Sequence, residues 1–195
     1  MEPAQMPEMR PVHRENWDWA TNGKMGKRER RILSSIYIEP AEEEKMNLRL
    51  LNRWQTIQAN EVRYKEYFLD DAEFAIIGFG TAGRVALSAV RQARQKGIKV
   101  GLLRPITLSP FPFDAIEQLA GRVSGILVTE MNSGQMLEDV RLAVKGRVPV
   151  EFYGRMGGVV PFTEEILHEI ERIASSKLSL ETDPRDAWLE RMAHV

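Results

Sequence analysis

The chain has 195 residues, of which 43% are hydrophobic and 28% charged, and its formal net charge is −1. These values are typical of one ordinary globular core, and they give no overall attraction to nucleic acid or to an anionic membrane. The sequence has no cysteine, which excludes disulfides and thiolate-held iron–sulfur clusters within this chain.

Residues 1–70 are predicted to form an N-terminal arm followed by a long amphipathic helix. In the arm, Trp17 and Trp19 carry enough apolar surface to need burial. The cationic cluster at residues 24–31 is interpreted either as a solvated surface or as a contact for an anionic partner. Pro40 and an acidic first turn begin the helix. Apolar residues recur along it at near-helical spacing and form one stripe: Met46, Leu50, Trp54, Ile57, Tyr64 and Phe68. This stripe predicts that the helix lies across another surface.

From residue 71 the pattern changes to short apolar strands that alternate with amphipathic helices. Strands are predicted at residues 74–77, 99–103, 125–129 and 149–152. The helix after the first strand ends at Gly97, and the last helix of this region begins near Thr163. The order predicts an α/β fold over residues 71–175, with a mostly parallel sheet between two helical layers and right-handed crossovers. Residues 176–195 are predicted to be a polar tail with a short helix that begins at Asp183. This helix carries Trp188, which needs a surface to dock on, and a partner protein is expected to provide it.

Gly78, Gly80 and Gly83 form a Gly-x-Gly-x-x-Gly pattern between the first of these strands and its helix. This is the order of a dinucleotide-binding turn. The next strand ends in Arg104 and Pro105, however, and lacks the acid that would hold the ribose hydroxyls. Two interpretations follow. The turn either packs the helix closely against the sheet, or it serves a nucleotide- or small-ligand-binding module that uses the three glycines and Arg104.

Arg104, Glu130, Asn132, Gln135 and Arg155 lie at or just after the carboxyl ends of the predicted strands. In open α/β sheets this edge is where ligands bind, so the five side chains are predicted to converge on one rim. One interpretation is an Arg–Glu pair that holds the rim loops. The other is a contact to a substrate or partner, and an enzyme acting through Glu130, Asn132 and Arg155 is a further hypothesis.

Acid–base and metal chemistry find little support in the sequence. His13, His168 and His194 have no ligand spacing, and His168 is expected on the surface of the last helix of the α/β region. A nucleophile elbow and a P-loop lysine are also missing. No catalytic, cofactor-binding or metal-binding residue is therefore assigned. No apolar run reaches the length of a membrane span or forms a signal-peptide core, so a cytoplasmic location is expected.

Three segments occur in order at residues 97–112, 129–140 and 150–158. They include the runs Arg-Pro-Ile-Thr-Leu-Ser-Pro-Phe-Pro, Glu-Met-Asn-Ser-Gly-Gln and Tyr-Gly-Arg-Met-Gly-Gly. These runs resemble the alpha subunit of 2-oxoacid:ferredoxin oxidoreductases, nearest the 2-ketoisovalerate (3-methyl-2-oxobutanoate) type. Members of this family oxidatively decarboxylate a 2-oxoacid to an acyl-coenzyme A and pass electrons to ferredoxin, with thiamine diphosphate and iron–sulfur clusters as cofactors.

The resemblance implies that this chain corresponds to the transketolase C-terminal-like domain of such a subunit, the last half of a longer protein. The family's thiamine-binding residues belong to a pyrimidine-binding domain and to the beta subunit, so the resemblance implies no cofactor bound by this chain alone. Thiamine diphosphate, iron–sulfur clusters and coenzyme A would belong to the full complex. The implied role is structural, with the pyrimidine-domain portion of alpha, the beta subunit and a ferredoxin-like subunit as partners. No nucleic-acid or membrane partner is expected, and the stand-alone nucleotide- or small-ligand-binding module remains the alternative.

Overall fold

The computed structural model describes residues 6, 8, 9, 11, 20, 23, 29, 32 and 34–193. The predictions made for Trp17, Trp19 and the cations of residues 24–31 lie outside the described residues. The chain divides into two compact units, one of residues 3–56 and one of residues 57–195 with residues 1–2. Among the described helices, none is long and apolar enough to cross a membrane.

The long helix α1 spans Pro40–Glu61 and has Glu42 and Glu43 in its first turn, where carboxylates stabilise a helix N-terminus. None of its residues is buried. Of the predicted stripe, Leu50 and Trp54 are 45% and 37% exposed. The four stripe residues up to Ile57 lie on α1, and the surface that they would pack against remains a prediction.

The prediction that this helix continues through Tyr64 and Phe68 was wrong. Strand β1 spans Tyr64–Tyr67 and pairs antiparallel with the strand at residues 100–105. Contacts at Arg63 begin the pairing, because its N–H donates to Thr107 Oγ1 at 2.9 Å and its carbonyl accepts from Ile106 at 2.9 Å. Phe68 then takes a left-handed conformation with φ 56°. Tertiary pairing overrides the helical spacing of the two aromatic residues.

The predicted parallel sheet is confirmed, and the strand boundaries differ from the predicted ones by one or two residues. The strands are β2 Phe74–Gly78, β3 Val100–Pro105, β4 Gly125–Glu130 and β5 Val150–Gly154. Their order in the sheet is β1-β3-β2-β4-β5, and all neighbours except β1 and β3 run parallel. Because β2 to β5 are parallel, their carboxyl ends lie at one edge of the sheet.

Helices follow each parallel strand and cover the sheet on both faces. They are α2 Gly80–Gln95, α3 Phe113–Ala120, α4 Gln135–Val144 and α5 Thr163–Ser175. Helix α2 packs with α5, and α3 packs with α4. The general rule that such crossovers are right-handed assigns these two pairs to opposite faces, in agreement with the predicted three layers. The apolar faces predicted for α2 to α5 are buried in one continuous core.

The tail forms α6, Pro184–Met192, as predicted, and its docking surface lies within this chain. Asp183 caps α6 by accepting from the N–H groups of Arg185 and Asp186. Trp188 is only 2% exposed and packs edge-on against Phe152 of β5, with ring centroids 5.1 Å apart. The expectation that the Trp188 helix needs a partner protein was therefore wrong.

A buried ion network joins β5, α5 and α6. Glu151 and Glu169 are 7% and 5% exposed, and one Nη of Arg172 lies 2.7 Å and 2.8 Å from their carboxylates. Arg191 approaches the same two carboxylates at 3.8 Å and 3.4 Å. Burial alone would lower the pKa of Arg172, but the two carboxylates outweigh burial and raise it. No sequence pattern indicates this network, since its members belong to three separate elements.

Candidate functional site

The five predicted rim residues lie at the carboxyl edge of the sheet, but on different strands and loops. Arg104 belongs to β3, Glu130 ends β4, Asn132 and Gln135 follow β4, and Arg155 follows β5. Strand β2 separates β3 from β4. The structure therefore brings Glu130, Asn132 and Arg155 together and leaves Arg104 on the far side of β2.

Glu130 and Asn132 bind the first turn of α4. The carboxylate of Glu130 is fully buried and accepts from the N–H groups of Met136 and Leu137, both at 2.9 Å. Asn132 Oδ1 accepts from the N–H groups of Gly134 and Gln135 at 2.8 Å and 2.9 Å. A helix N-terminus leaves such N–H groups without partners. The two side chains therefore occupy the anion-binding end of α4 themselves.

The environment of Glu130 favours its neutral form. Burial raises the pKa of this carboxyl, and hydrogen bonds from Met136, Asn132 and Leu137 offset the rise only in part. The backbone carbonyl of Glu130 also accepts from the N–H of Arg155 at 3.2 Å, which ties the end of β4 to the loop after β5. Glu130 therefore connects α4, β4 and the Arg155 loop.

The Arg–Glu pair at this edge joins Arg155 to Glu165 and does not involve Glu130. One Nη of Arg155 donates to Glu165 Oε1, and Glu165 Oε2 accepts from the N–H of Phe162 at 2.8 Å, at the start of α5. The guanidinium also lies 5.8 Å from the ring centroid of Tyr153. The pair holds the loop before α5, while a substrate or partner contact by Arg155 remains a prediction.

Tyr153 should titrate well above an ordinary tyrosine. Burial raises its pKa to about 12, and Glu165 adds to this rise while Arg155 reduces it. The tyrosinate absorbance of wild type minus Tyr153→Phe should therefore show a midpoint near pH 12 in the folded chain. In urea the same difference should titrate near the ordinary tyrosine value of about 10. A midpoint near that value in the folded chain would contradict the burial argument.

The glycine turn packs α2 directly onto the sheet. A Cβ added at Gly83 would lie 2.4 Å from the carbonyl oxygen of Gly78, and one added at Gly78 would lie 2.9 Å from Thr129 Cγ2. Gly80 has φ 55°, with nothing within 4 Å of an added Cβ. The contacts that require Gly78 and Gly83 are therefore made within the chain, which favours the structural interpretation of the turn.

Gly83→Ala should destabilise the chain by about 2–3 kcal/mol, because the new methyl group meets backbone that can move only with β2. Gly80→Ala is the matched control, and a left-handed alanine in open space should cost about 1 kcal/mol. Urea unfolding followed by circular dichroism measures both. Equal, small losses for the two variants would show that the close approach at Gly83 is not needed for packing.

An open cavity of about 630 Å³ lies beside the carboxyl end of β5, between α5 and α6. Its wall includes Tyr153, Arg155, Glu164, His168, Trp188 and Arg191. The sequence predicts Arg155 at this edge but not the cavity, because the cavity depends on the packing of α6 against β5. His168 is exposed, as expected. The described residues contain no group of three or more His, Asp or Glu side chains that could hold a metal ion.

Residues 72–166 match the pyruvate:ferredoxin oxidoreductase core domain II family. Two ketoisovalerate oxidoreductase VorB subunits, from Methanothermobacter thermautotrophicus and Methanothermobacter marburgensis, are each 43% identical over 175 residues. The match covers 89% of this chain and 49% of each relative, so the chain spans about half the length of these curated relatives. The 2-oxoglutarate synthase subunit KorA of M. marburgensis is 32% identical over 67% of this chain and 35% of its own.

Two solved structures share the fold. The 2-oxoglutarate:ferredoxin oxidoreductase of Magnetococcus marinus superposes with a TM-score of 0.63 at 20% identity, over 71% of this chain and 24% of that one. A split-gene transketolase superposes with a TM-score of 0.51 at 14% identity, over 58% of this chain and 41% of that one. The fold is thus an α/β domain of the kind found in transketolases and 2-oxoacid oxidoreductases. The match to the family model and the VorB identity support a fragment of a 2-oxoacid:ferredoxin oxidoreductase.

Proposed function

We propose that this chain is the C-terminal part of the alpha subunit of a thiamine-diphosphate-dependent 2-oxoacid:ferredoxin oxidoreductase, of the ketoisovalerate type. The observation that carries the proposal is the 43% identity to two VorB subunits over 89% of the chain. The complete enzyme would oxidatively decarboxylate a branched-chain 2-oxoacid to an acyl-coenzyme A and reduce ferredoxin. We place this activity in the cytoplasm.

Within that enzyme, the chain itself has a structural and assembly role. Glu130, Asn132 and Arg155 already make hydrogen bonds inside the fold, at a helix N-terminus and in a loop. Their polar groups are therefore largely used in folding. The sequence also has no cysteine to bind an iron–sulfur cluster. Thiamine diphosphate, the clusters and coenzyme A would be bound by other parts of the complex.

The exposed apolar face of α1 is the surface that we assign to subunit contact. Leu48 and Leu51 are 57% and 51% exposed, and Trp54 lies one helical turn beyond Leu51 at 37% exposure. Apolar side chains that neighbour one another on a helix mark an interaction surface when they stay in contact with water. The partners in this proposal are the pyrimidine-domain portion of alpha and the beta subunit.

Co-expression with the neighbouring oxidoreductase subunits tests the proposal. We expect a single complex in size-exclusion chromatography with mass analysis, with ferredoxin reduction that depends on added thiamine diphosphate. Reduction should be faster with 3-methyl-2-oxobutanoate than with 2-oxoglutarate. Trp54→Ala should weaken co-elution, whereas Arg53→Ala, its neighbour on the polar face, should not. Elution of this chain apart from the other subunits would refute the assembly role.

A further inference from the structure

The loop between β5 and α5 is apolar and yet exposed. Its residues 156–162 read Met-Gly-Gly-Val-Val-Pro-Phe and contain no polar side chain. Phe162 is 65% exposed, and Met156 and Val159 are 50% and 49% exposed. Single apolar residues on a protein surface are ordinary, but an exposed group of neighbouring ones marks an interaction site. The loop at residues 156–162 therefore has the composition of a docking surface.

One carboxylate holds both ends of this loop. Glu165 Oε1 accepts from Arg155, which directly precedes the loop, and Glu165 Oε2 accepts from the N–H of Phe162 at 2.8 Å. Inside the loop, the N–H of Val159 donates to the carbonyl of Met156 at 3.2 Å. The apolar side chains are thus carried by a loop whose ends are fixed before any partner binds. Such fixing lowers the conformational entropy that binding would cost.

The charges beside the loop restrict what can cover it. Glu164 and Glu165 follow it in the first turn of α5. Arg155 is paired with Glu165, whereas Glu164 is exposed and has no ion pair among the described residues. An anionic membrane would be repelled by this carboxylate, and two copies of the loop would bring two such carboxylates together. A protein surface with an apolar recess and a basic rim fits both features.

The relatives indicate where that surface lies. The loop belongs to the range that matches the family model, residues 72–166. The match to the two VorB subunits covers only 49% of each, so about half of each relative lies outside it. That half is joined to the matched half in one polypeptide. A surface in the same polypeptide meets the loop at a high effective concentration, so a small apolar contact is enough to hold the two together.

We propose that the loop at residues 156–162 docks into an apolar recess with a basic rim on the other half of a VorB-type alpha subunit. Phe162 and Val159 would enter the recess, and Glu164 would face its rim. This inference rests on the proposed function. It adds a contact made by the α/β domain to the contact that we assign to α1.

Photo-crosslinking tests which protein covers the loop. Because the sequence has no cysteine, Val159→Cys can be labelled at this single position with a benzophenone maleimide and then combined with the neighbouring oxidoreductase subunits. We expect crosslinks to the chain that carries the other half of the alpha subunit, identified by mass spectrometry. The control label is Leu142→Cys, on an exposed residue of α4, which should not crosslink to that chain. Crosslinks from Val159→Cys only to a second copy or to the beta subunit would overturn the proposal.

A matched pair of serine variants measures what the contact contributes. Phe162→Ser should weaken binding to the other subunits at least about tenfold in interferometry, because it removes the largest exposed side chain of the loop. Leu142→Ser, at a side chain that is 67% exposed, should leave binding unchanged. Equal affinities of Phe162→Ser and wild type would overturn the docking role and leave the proposed function standing. Failure of the wild-type chain to bind the other subunits would overturn both.

Discussion

Arg172→Met should lower the free energy of unfolding by about 3 kcal/mol, one of the two largest losses that we expect from a single substitution in this chain. The methionine keeps the aliphatic part of the side chain but removes the charge shared by Glu151 and Glu169. Both carboxylates are almost fully buried, and Arg191, at 3.8 Å and 3.4 Å, would be their only remaining cation within the described structure. A buried carboxylate without a close cation is costly because it has lost its water.

Urea unfolding compares Arg172→Met with Arg147→Met, which is the same substitution at an exposed ion pair. Arg147 pairs with Glu117 at 2.7 Å but is 50% exposed, so its loss should cost less than about 1 kcal/mol. The triple variant Arg172→Met, Glu151→Gln, Glu169→Gln should recover part of the stability, since it removes the unpaired charges as well. Equal losses for the two single variants would mean that the network is hydrated and contributes little.

The fold was predictable because strands β2, β3 and β4 each carry a continuous apolar run that is buried on both faces of the sheet. Ala75, Ile76 and Ile77 in β2 are fully buried. A continuous apolar run of this kind before an amphipathic helix such as α2 is typical of a strand that is covered on both faces. The ends of helices were predictable because residues at the ends themselves mark them. Gly97, with φ 84°, ends the α2 region, and Asp183 caps α6.

The wrong predictions have a different physical origin. Tyr64 and Phe68 extend the helical spacing of α1, but a non-local contact decides their structure, namely the pairing of β1 with β3. The periodicity of residues 64–68 does not encode this contact. Trp188 shows the same effect, because its docking site on Phe152 lies 36 residues away in the sequence. From the sequence alone, burial of Trp188 within this chain could not be distinguished from contact with a partner protein.

The sequence predicted where the candidate site lies, but not what its polar side chains bind. Parallel strands place Glu130, Asn132 and Arg155 at one edge, as the sequence indicates. Whether their polar atoms face a ligand or the chain itself depends on hydrogen-bond directions. Those directions show Glu130 and Asn132 bound to α4 and Arg155 bound to Glu165. The cavity between α5 and α6 forms only when α6 is in place, so the sequence alone gave no sign of it.

Glu130→Ala should destabilise the chain by about 2–4 kcal/mol at neutral pH, because it leaves the N–H groups of Met136 and Leu137 buried without acceptors. Glu190→Ala is the control, since Glu190 is exposed and makes no hydrogen bond or ion pair within the described chain, and should change stability by less than about 0.5 kcal/mol. Circular dichroism in urea measures both. A loss no larger than that of the control would show that water replaces the carboxylate at α4.

Glu130→Gln tests the raised pKa of the carboxyl separately from its hydrogen bonds. A raised pKa in the folded state means that ionisation of Glu130 costs more there than in the unfolded chain. The stabilisation by the neutral form is therefore complete below the ordinary value of 4.5 and is lost as the pH rises through the raised value. Glutamine cannot ionise, so the stability of wild type minus Glu130→Gln should be larger at pH 4.5 than at pH 7. A difference that grows with pH would mean that the N–H groups of Met136 and Leu137 outweigh burial and hold Glu130 as a carboxylate.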